Sequence, residues 1–325
     1  MLKGVKKSPL KYMGGKSYIA EWIVSQLPKH HCYVEVFGGG ASVLFVKPES
    51  PTEVYNDLWG DVVNFFLVLR DRVDELMEYL RYTPYSRQYH DIALEKFKNR
   101  DFRDDIERAG ITFFLLHSGV NGIIGGGFSS GPSKNNASAL KTSVDSLKIF
   151  AERFRRVIIE NLDFEEVIKK YDDEDTLFYC DPPYLGVERA REYYLPKFEY
   201  RDHYRLSKVL RKIDGKFVLS YYSNPYVEDL YPRDEFIYLE KEVIKRSVFA
   251  KGDKKKPKAK EILILNYEPK QQNFRIMNLR EVFRSGMGDN KIQIYEVEAE
   301  DEEEAKEIVE SELVNPIFEE VIVNE

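Results

Sequence analysis

Short apolar runs that stop abruptly at glycine, acid or proline recur along this chain, and longer amphipathic stretches lie between them. Residues 33–37 (Tyr-Val-Glu-Val-Phe) read as a strand halted by Gly38-Gly39-Gly40, after which residues 41–46 open a helix. A second strand ends at Asn56-Asp57, behind Val54 and Tyr55. From 61 to 80, Val62, Phe65, Phe66, Leu69, Val73, Leu76 and Leu80 fall at helical spacing and predict one long helix. Strands are predicted again at 157–159, 177–180, 217–220 and 262–265, with helical patterns such as 204–211 between them. This alternation predicts an α/β fold, a Rossmann-like doubly wound parallel sheet that takes its ligands at the carboxyl ends of the strands.

Two regions break the rhythm. Residues 82–154 begin and end in helical patterns, but their middle, 118–138, holds six glycines and many small polar residues. A glycine-rich stretch of that length in a compact domain points to a functional or mobile loop, so 82–154 reads as a mainly helical insertion. The flanking segments, 1–81 and 155–270, then form one domain. The remaining 271–325 reads as a small C-terminal extension. Its residues 301–314 make an acidic helix with Ala305, Ile308, Val309 and Leu313 on one face, stopped by Asn315-Pro316, and 321–323 make a strand of a β-α-β unit.

The formal net charge of −7 is unevenly distributed. Residues 291–325 hold 13 acids against two lysines, so the first 290 residues, with 47 bases against 43 acids, are mildly basic. That balance permits a nucleic-acid partner without demanding one. No apolar run approaches a membrane span, and the first residues lack a signal-peptide pattern. Two cysteines, Cys32 and Cys180, cannot form a disulfide framework or a cysteine zinc cluster, and the five histidines show no ligand spacing. The chain therefore reads as cytoplasmic, with no membrane association and no metal.

Candidate chemistry concentrates at strand ends. The run Leu177-Phe178-Tyr179-Cys180 delivers Asp181 to Pro182-Pro183, which forbid further strand, and then to Tyr184. A stiff corner carrying a carboxylate, a carbonyl without a competing N–H and an aromatic ring suits the exocyclic amine of a flat nucleobase. Gly38, Gly39 and Gly40 lie between a strand and a helix pattern, where backbone can approach a ligand closely. Glu35 stands just before them, and Asp57 follows Gly38 by 19 residues, the spacing of an acid that grips ribose hydroxyls. Gly14-Gly15-Lys16-Ser17 invites a phosphate-loop reading, but Leu10 stands where that motif needs glycine and no strand precedes it. An ATPase is thereby rejected. Lys16 reads instead as a cation for a carboxylate, with Tyr12 as an apolar wall.

The ordered set Lys-Tyr-x-Gly-Gly-Lys (11–16), Glu-x-Phe-x-Gly-Gly (35–40), Asn-Asp (56–57), an insertion and Asp-Pro-Pro-Tyr (181–184) resembles the Dam-type DNA adenine-N6 methyltransferases, from about residue 8 to residue 267. The resemblance implies a Rossmann-like methyltransferase domain that uses S-adenosyl-L-methionine, with residues 82–154 as its target-recognition region. It implies that Tyr12, Gly14, Lys16, Glu35, Phe37, Gly38, Gly39, Gly40, Asp57 and Asp181 hold the cofactor, and that Asp181, Pro182, Pro183 and Tyr184 carry catalysis. Lys16 would face the methionine carboxylate, Asp57 the ribose, and Tyr184 a base flipped from duplex DNA. Cys180, inside the strand, reads as packing.

Candidate DNA contacts are Asn121, Ser133 and Lys134 in the glycine-rich loop, Arg189 and Arg191 after the active-site corner, and Lys251 in a segment with six lysines. The loop Asn121-Gly122-Ile123-Ile124-Gly125-Gly126-Gly127-Phe128 lacks the arginine and Phe-Asn-x-Pro-x-Gly stretch of Dam itself, so its GATC site is not transferred; the insertion resembles that of a shorter, phage-like branch. The same corner would also serve cytosine N4 or an RNA amine, and a catalytically idle DNA-binding module is a rival of another class. A companion restriction endonuclease, and a homodimer through 271–325, are further expected partners.

Overall fold

A computed structural model describes residues 8–12, 14–184, 198–244 and 258–269, together with the backbone of strands at 272–278, 293–299 and 318–323. Contacts divide the chain into two compact units, Met1–Tyr267 and Glu268–Glu325. Arg189, Arg191, Lys251 and the predicted acidic helix at 301–314 lie outside the described residues.

The first unit is built on a seven-stranded sheet. Its strands are β1 (Cys32–Glu35), β2 (Thr52–Asn56), β3 (Ile158–Glu160), β4 (Thr176–Cys180), β5 (Lys216–Tyr222), β6 (Ile237–Ile244) and β7 (Lys258–Leu265), in the order β3-β2-β1-β4-β5-β7-β6. The first five run parallel, and β7 is antiparallel to both its neighbours. The chain winds outward from β1 to β3 and returns to place β4 against the other side of β1, so the switch point lies between the ends of β1 and β4. There Val36 donates its N–H to the Tyr179 carbonyl at 3.0 Å. Strand β6 was not anticipated; its Glu240, Lys241 and Glu242 give it the charged character of an edge strand.

Side chains alternate strictly across this sheet, as the period of two requires. Tyr33, Tyr55, Leu177, Tyr179, Val218, Leu263 and Leu265 enter one core, while Val34, Val54, Phe178, Cys180, Phe217, Leu219, Ile262 and Ile264 enter the other. The second core is covered by α8 (Phe164–Tyr171), α9 (Tyr200–Leu210) and α10 (Pro225–Leu230).

The first core is covered by α1 (Ala20–Ser25), α2 (Gly60–Asp71), α3 (Val73–Arg81) and the helices of the insertion: α4 (Arg87–Asn99), α5 (Asp105–Ser118), α6 (Asn136–Asp145) and α7 (Leu147–Phe154). Helix α5 is buried along nearly its whole length, packed against α2, α3 and α4. The insertion thus shares the core of the sheet instead of standing apart from it. Buried Asp61 at the start of α2 fastens it, accepting from Arg100 at 2.8 Å, Arg108 at 2.7 Å and the Trp59 indole at 2.9 Å.

Two predicted helices differ from the structure. The expected single helix over 61–80 breaks at Arg72 (φ −139°, ψ 36°), whose guanidinium grips Glu75 in the first turn of α3 at 2.8 and 2.6 Å. Beyond the break, Leu76 and Leu80 still enter the common core. Residues 41–46, expected as a helix, form a series of turns. Ala41 takes a left-handed φ of 54°, and at Leu44 partners distant in sequence replace helical ones, Glu35 binding its N–H and Arg153 its carbonyl.

In the second unit, β8 (Gln272–Asn278), β9 (Gln293–Ala299) and β10 (Phe318–Val323) form an antiparallel sheet in the order β10-β8-β9. Because β9 and β10 each oppose β8, they share one direction on either side of it.

Arg153 on α7 also reaches Glu53 on β2 at 2.8 Å, beside Lys47. Burial opposes the Glu53 charge, but Arg153 and Lys47 outweigh it and hold the carboxyl below its ordinary 4.5. A depressed carboxyl adds stability that is complete above 4.5 and is lost as pH falls through its lower folded value. Arg153→Met is expected to remove about 3 kcal/mol in urea unfolding at neutral pH, with a smaller loss relative to wild type at acid pH. Equal losses at both would contradict this role for the pair.

Candidate active site

The N-terminal segment enters the site through a tight turn. Gly15 donates its N–H to the Tyr12 carbonyl at 3.2 Å, and Gly14 holds φ +82°, a conformation that favours glycine. The turn sends Lys16, its side chain 6% exposed, to the switch point. There its ammonium donates to Asp181 at 2.6 Å and lies 3.5 Å from Glu261 on β7. It also stands 4.6 Å from the centre of the Tyr184 ring. The structure therefore brings Lys16, Asp181 and Tyr184 together.

Burial raises the Asp181 carboxyl above its ordinary value, and neighbouring Glu261 adds to this against the downward pull of Lys16. Burial alone would lower the Lys16 ammonium, yet Asp181 and Glu261 more than offset it. Asp181 is 17% exposed, enough for a ligand to reach it from the strand ends. Cys180 is fully buried, and burial pushes its thiol up, so it packs.

The glycine turn sits across the switch point. Asp57, at the end of β2, accepts from Gly39 N–H at 2.7 Å and Trp59 N–H at 2.7 Å, which fixes its carboxylate against the turn. Packing alone requires glycine at position 38: a Cβ there would stand 2.1 Å from the Tyr55 ring. Phe37 lies half-buried against Phe164 and Phe198, with ring centres 5.7 and 5.6 Å away. Tyr12 stands over Gly39 and 6.2 Å from Trp59. Glu35 is placed beneath the turn, where one oxygen accepts from Leu44 N–H at 2.9 Å and the Tyr33 hydroxyl at 3.1 Å. Burial pushes its carboxyl up to about 8, against the pull of those two bonds.

Glu261 was not singled out in the sequence. It is fully buried and accepts from Tyr184 at 2.5 Å, Ser220 at 2.9 Å and Tyr18 at 3.2 Å. The available signal was a lone acid leading the apolar run 262–265. The Tyr179 hydroxyl is buried without a hydrogen-bond partner among the described residues. Among the same residues no cluster of His, Cys, Asp and Glu could hold a metal ion, and no helix is long and apolar enough to cross a membrane.

The glycine-rich loop is a compact hairpin closed by a bridge between Gly119 and Phe128. Asn121 (φ 58°), Ser133 and Lys134 are all exposed on it or just beyond. The hairpin is bound to the N-terminal segment: Lys11 donates to the Gly119 carbonyl at 3.3 Å, and His117 Nε2 meets the Pro9 carbonyl at 3.0 Å.

The strand order, mostly parallel with an antiparallel β7, is that of a Rossmann-like methyltransferase fold. A profile of the D12 class N6 adenine-specific DNA methyltransferases matches residues 12–246, and the chain belongs to that family. Its activity is N6 methylation of adenine in DNA. The Type II methyltransferase M.MjaIII of Methanocaldococcus jannaschii is 29% identical over 79% of this chain and 98% of its own length. The DNA adenine methylase of Escherichia coli K12 is 24% identical over 80% of this chain and 95% of its own. The DNA N-6-adenine-methyltransferase of Escherichia phage P1 is 26% identical over 76% of this chain and 34% of its own.

Glu35 has a measurable signature. A folded carboxyl at about 8 retains a proton that the unfolded chain releases above its ordinary 4.5. Its stabilising contribution is therefore complete below 4.5 and is lost as pH rises toward 8. Glu35→Gln, which mimics the protonated acid, is expected to remove a few kcal/mol of pH dependence from urea unfolding across this range. An unchanged profile would show that Glu35 is ionised in the folded chain.

Proposed function

We propose that this chain transfers the methyl group of S-adenosyl-L-methionine to N6 of an adenine flipped out of duplex DNA, at a specific site. The observation that carries the reading is the placement of Asp181 at the switch point, partly open to solvent and paired with Lys16. The residues present fit the cofactor. Asp57 offers a fixed carboxylate, Lys16 a cation and Phe37 an apolar face, all around the glycine turn, and Tyr179 holds an unsatisfied hydroxyl nearby. Tyr12, Gly14, Lys16, Phe37, Gly38, Gly39, Gly40, Asp57 and Asp181 would hold it, with Glu35 supporting the turn from beneath. When bound, it supplies a methyl group already activated by attachment to a sulfonium.

The chain's task is then one of positioning and electrostatics. The lone pair of the adenine amine is delocalised into the ring, so the nitrogen is a poor nucleophile. The Asp181 carboxylate and the Pro182 carbonyl accept hydrogen bonds from its two N–H groups, which favours a pyramidal nitrogen and aims its lone pair. Pro182 and Pro183 have no N–H of their own to compete and keep the corner stiff. Tyr184 offers the extruded base an aromatic surface. Asn121, Ser133 and Lys134, exposed on the insertion, would contact the DNA.

The family match disfavours cytosine N4, RNA and an idle binding module, although the same corner would accept another exocyclic amine. Nucleoside composition after labelling separates these substrates. In a cell with a companion restriction endonuclease, the mark would shield the cell's own sites.

Asp181→Ala is expected to lower methyl transfer to DNA at least about 100-fold in a tritiated-methyl assay while the cooperative unfolding transition persists. Because burial raises Asp181 above its ordinary 3.8, the acid limb of wild-type kcat/KM should lie above that value, with activity growing as the carboxyl ionises. Wild-type turnover by Asp181→Ala would remove the proposed role.

A further inference from the structure

Glu261 presents a problem that the fold does not answer. It is fully buried and leads the apolar run Ile262-Leu263-Ile264-Leu265. Replacing a buried, paired acid with an apolar residue of similar size is often neutral or stabilising, so packing gives no reason to keep a carboxylate here. Its partners supply one. One oxygen receives the Tyr184 hydroxyl at 2.5 Å and the Ser220 hydroxyl at 2.9 Å, and the Lys16 ammonium lies 3.5 Å from that same oxygen. The other oxygen receives the Tyr18 hydroxyl at 3.2 Å. Two of these four partners, Lys16 and Tyr184, flank Asp181 directly: Lys16 by its ion pair, and Tyr184 by closing the Asp-Pro-Pro-Tyr corner.

We infer that Glu261 is a positioning residue for methyl transfer, which anchors the hydroxyl of Tyr184 so that its ring forms a fixed wall for the incoming adenine. The inference rests on the function proposed above. A tyrosine following two prolines has a stiff backbone, but its ring still turns about two side-chain bonds. The phenol–carboxylate bond removes that freedom, and charge assistance makes it stronger than a bond between neutral groups. Tyr222, edge-on to Tyr184 at 4.8 Å, and Tyr221 at 5.3 Å support the ring but hold no polar end. Ser220 reaches the same hydroxyl at 3.0 Å and gives the anchor a second point. The wall is thus set before DNA arrives, so the extruded base meets a surface already ordered.

The test is a double-mutant cycle with Tyr184→Phe and Glu261→Gln on a duplex carrying the target site, found beforehand by sequencing DNA methylated by the wild type. Tyr184→Phe keeps the ring and loses only its anchor, so it stays informative even if Glu261→Gln folds poorly. Tyr184→Phe is expected to raise KM for DNA about 10- to 100-fold, with a much smaller change in kcat and little change in cofactor affinity. Glu261→Gln should do the same, and the double variant should be hardly worse than either single one. The fluorescence of 2-aminopurine at the target position, which reports base extrusion, should fall in parallel. Fully additive losses, or a Tyr184→Phe variant with wild-type KM, would overturn the positioning role while leaving the methyltransferase reading intact. A wild-type protein that transfers no methyl to adenine would overturn both.

Discussion

A fully buried carboxylate, Glu261, and a partly exposed one, Asp181, share one ammonium at the place where the sheet reverses its winding. Glu261 would not be tolerated there alone, because a lone charge out of water carries a large desolvation penalty. Lys16, between them, makes the arrangement possible, and it comes from a segment that precedes the first strand. The charges therefore join three separate stretches of chain: the N-terminal turn, the corner after β4 and the antiparallel strand β7. The remainder of the site is arranged around this triad, with the glycine turn and Asp57 on the β1–β2 side and the tyrosines on the β5–β7 side.

The insertion is a second organising fact. Its helices contribute to one core of the sheet and are pinned to it by Asp61 and Glu53, two buried acids that each take arginine from the insertion. The region expected to read DNA is consequently no loose attachment. Its helices share the core of the sheet, and its glycine-rich hairpin reaches the same core through Ile124.

How much of this was legible depends on whether the determining contacts were local. The strands preceding Asp181, Asp57 and Gly38 announced themselves through apolar runs ending in proline, acid or glycine, and the doubly wound order followed. The break at Arg72 was hidden, because helical periodicity continues through it and no proline or glycine marks it. The turns at 41–46 were hidden for the same kind of reason: Glu35 and Arg153 hold Leu44 from 9 and 109 residues away. The close approach of the Tyr55 ring to Gly38 was hidden, because it joins positions 17 residues apart in the chain. Glu261 escaped notice because a single acid in a strand looks like an ordinary solvent-facing position. Its partner Tyr184 is 77 residues away, a proximity that only the β5–β7 pairing creates.

The attachment of the glycine-rich hairpin to Lys11 bears, on the function proposed above, on how such enzymes would acquire new sequence preferences. The stretch that leads to Tyr12 and Lys16 is leashed to that hairpin, and a Cβ added at Gly122 would stand only 2.2 Å from the Lys11 carbonyl. A foreign hairpin grafted into this scaffold would pull on the cofactor side through that leash unless its matching N-terminal lead came with it. On the function proposed above, target choice and cofactor grip would then be inherited as a package, with diversification of one paced by compatible change in the other.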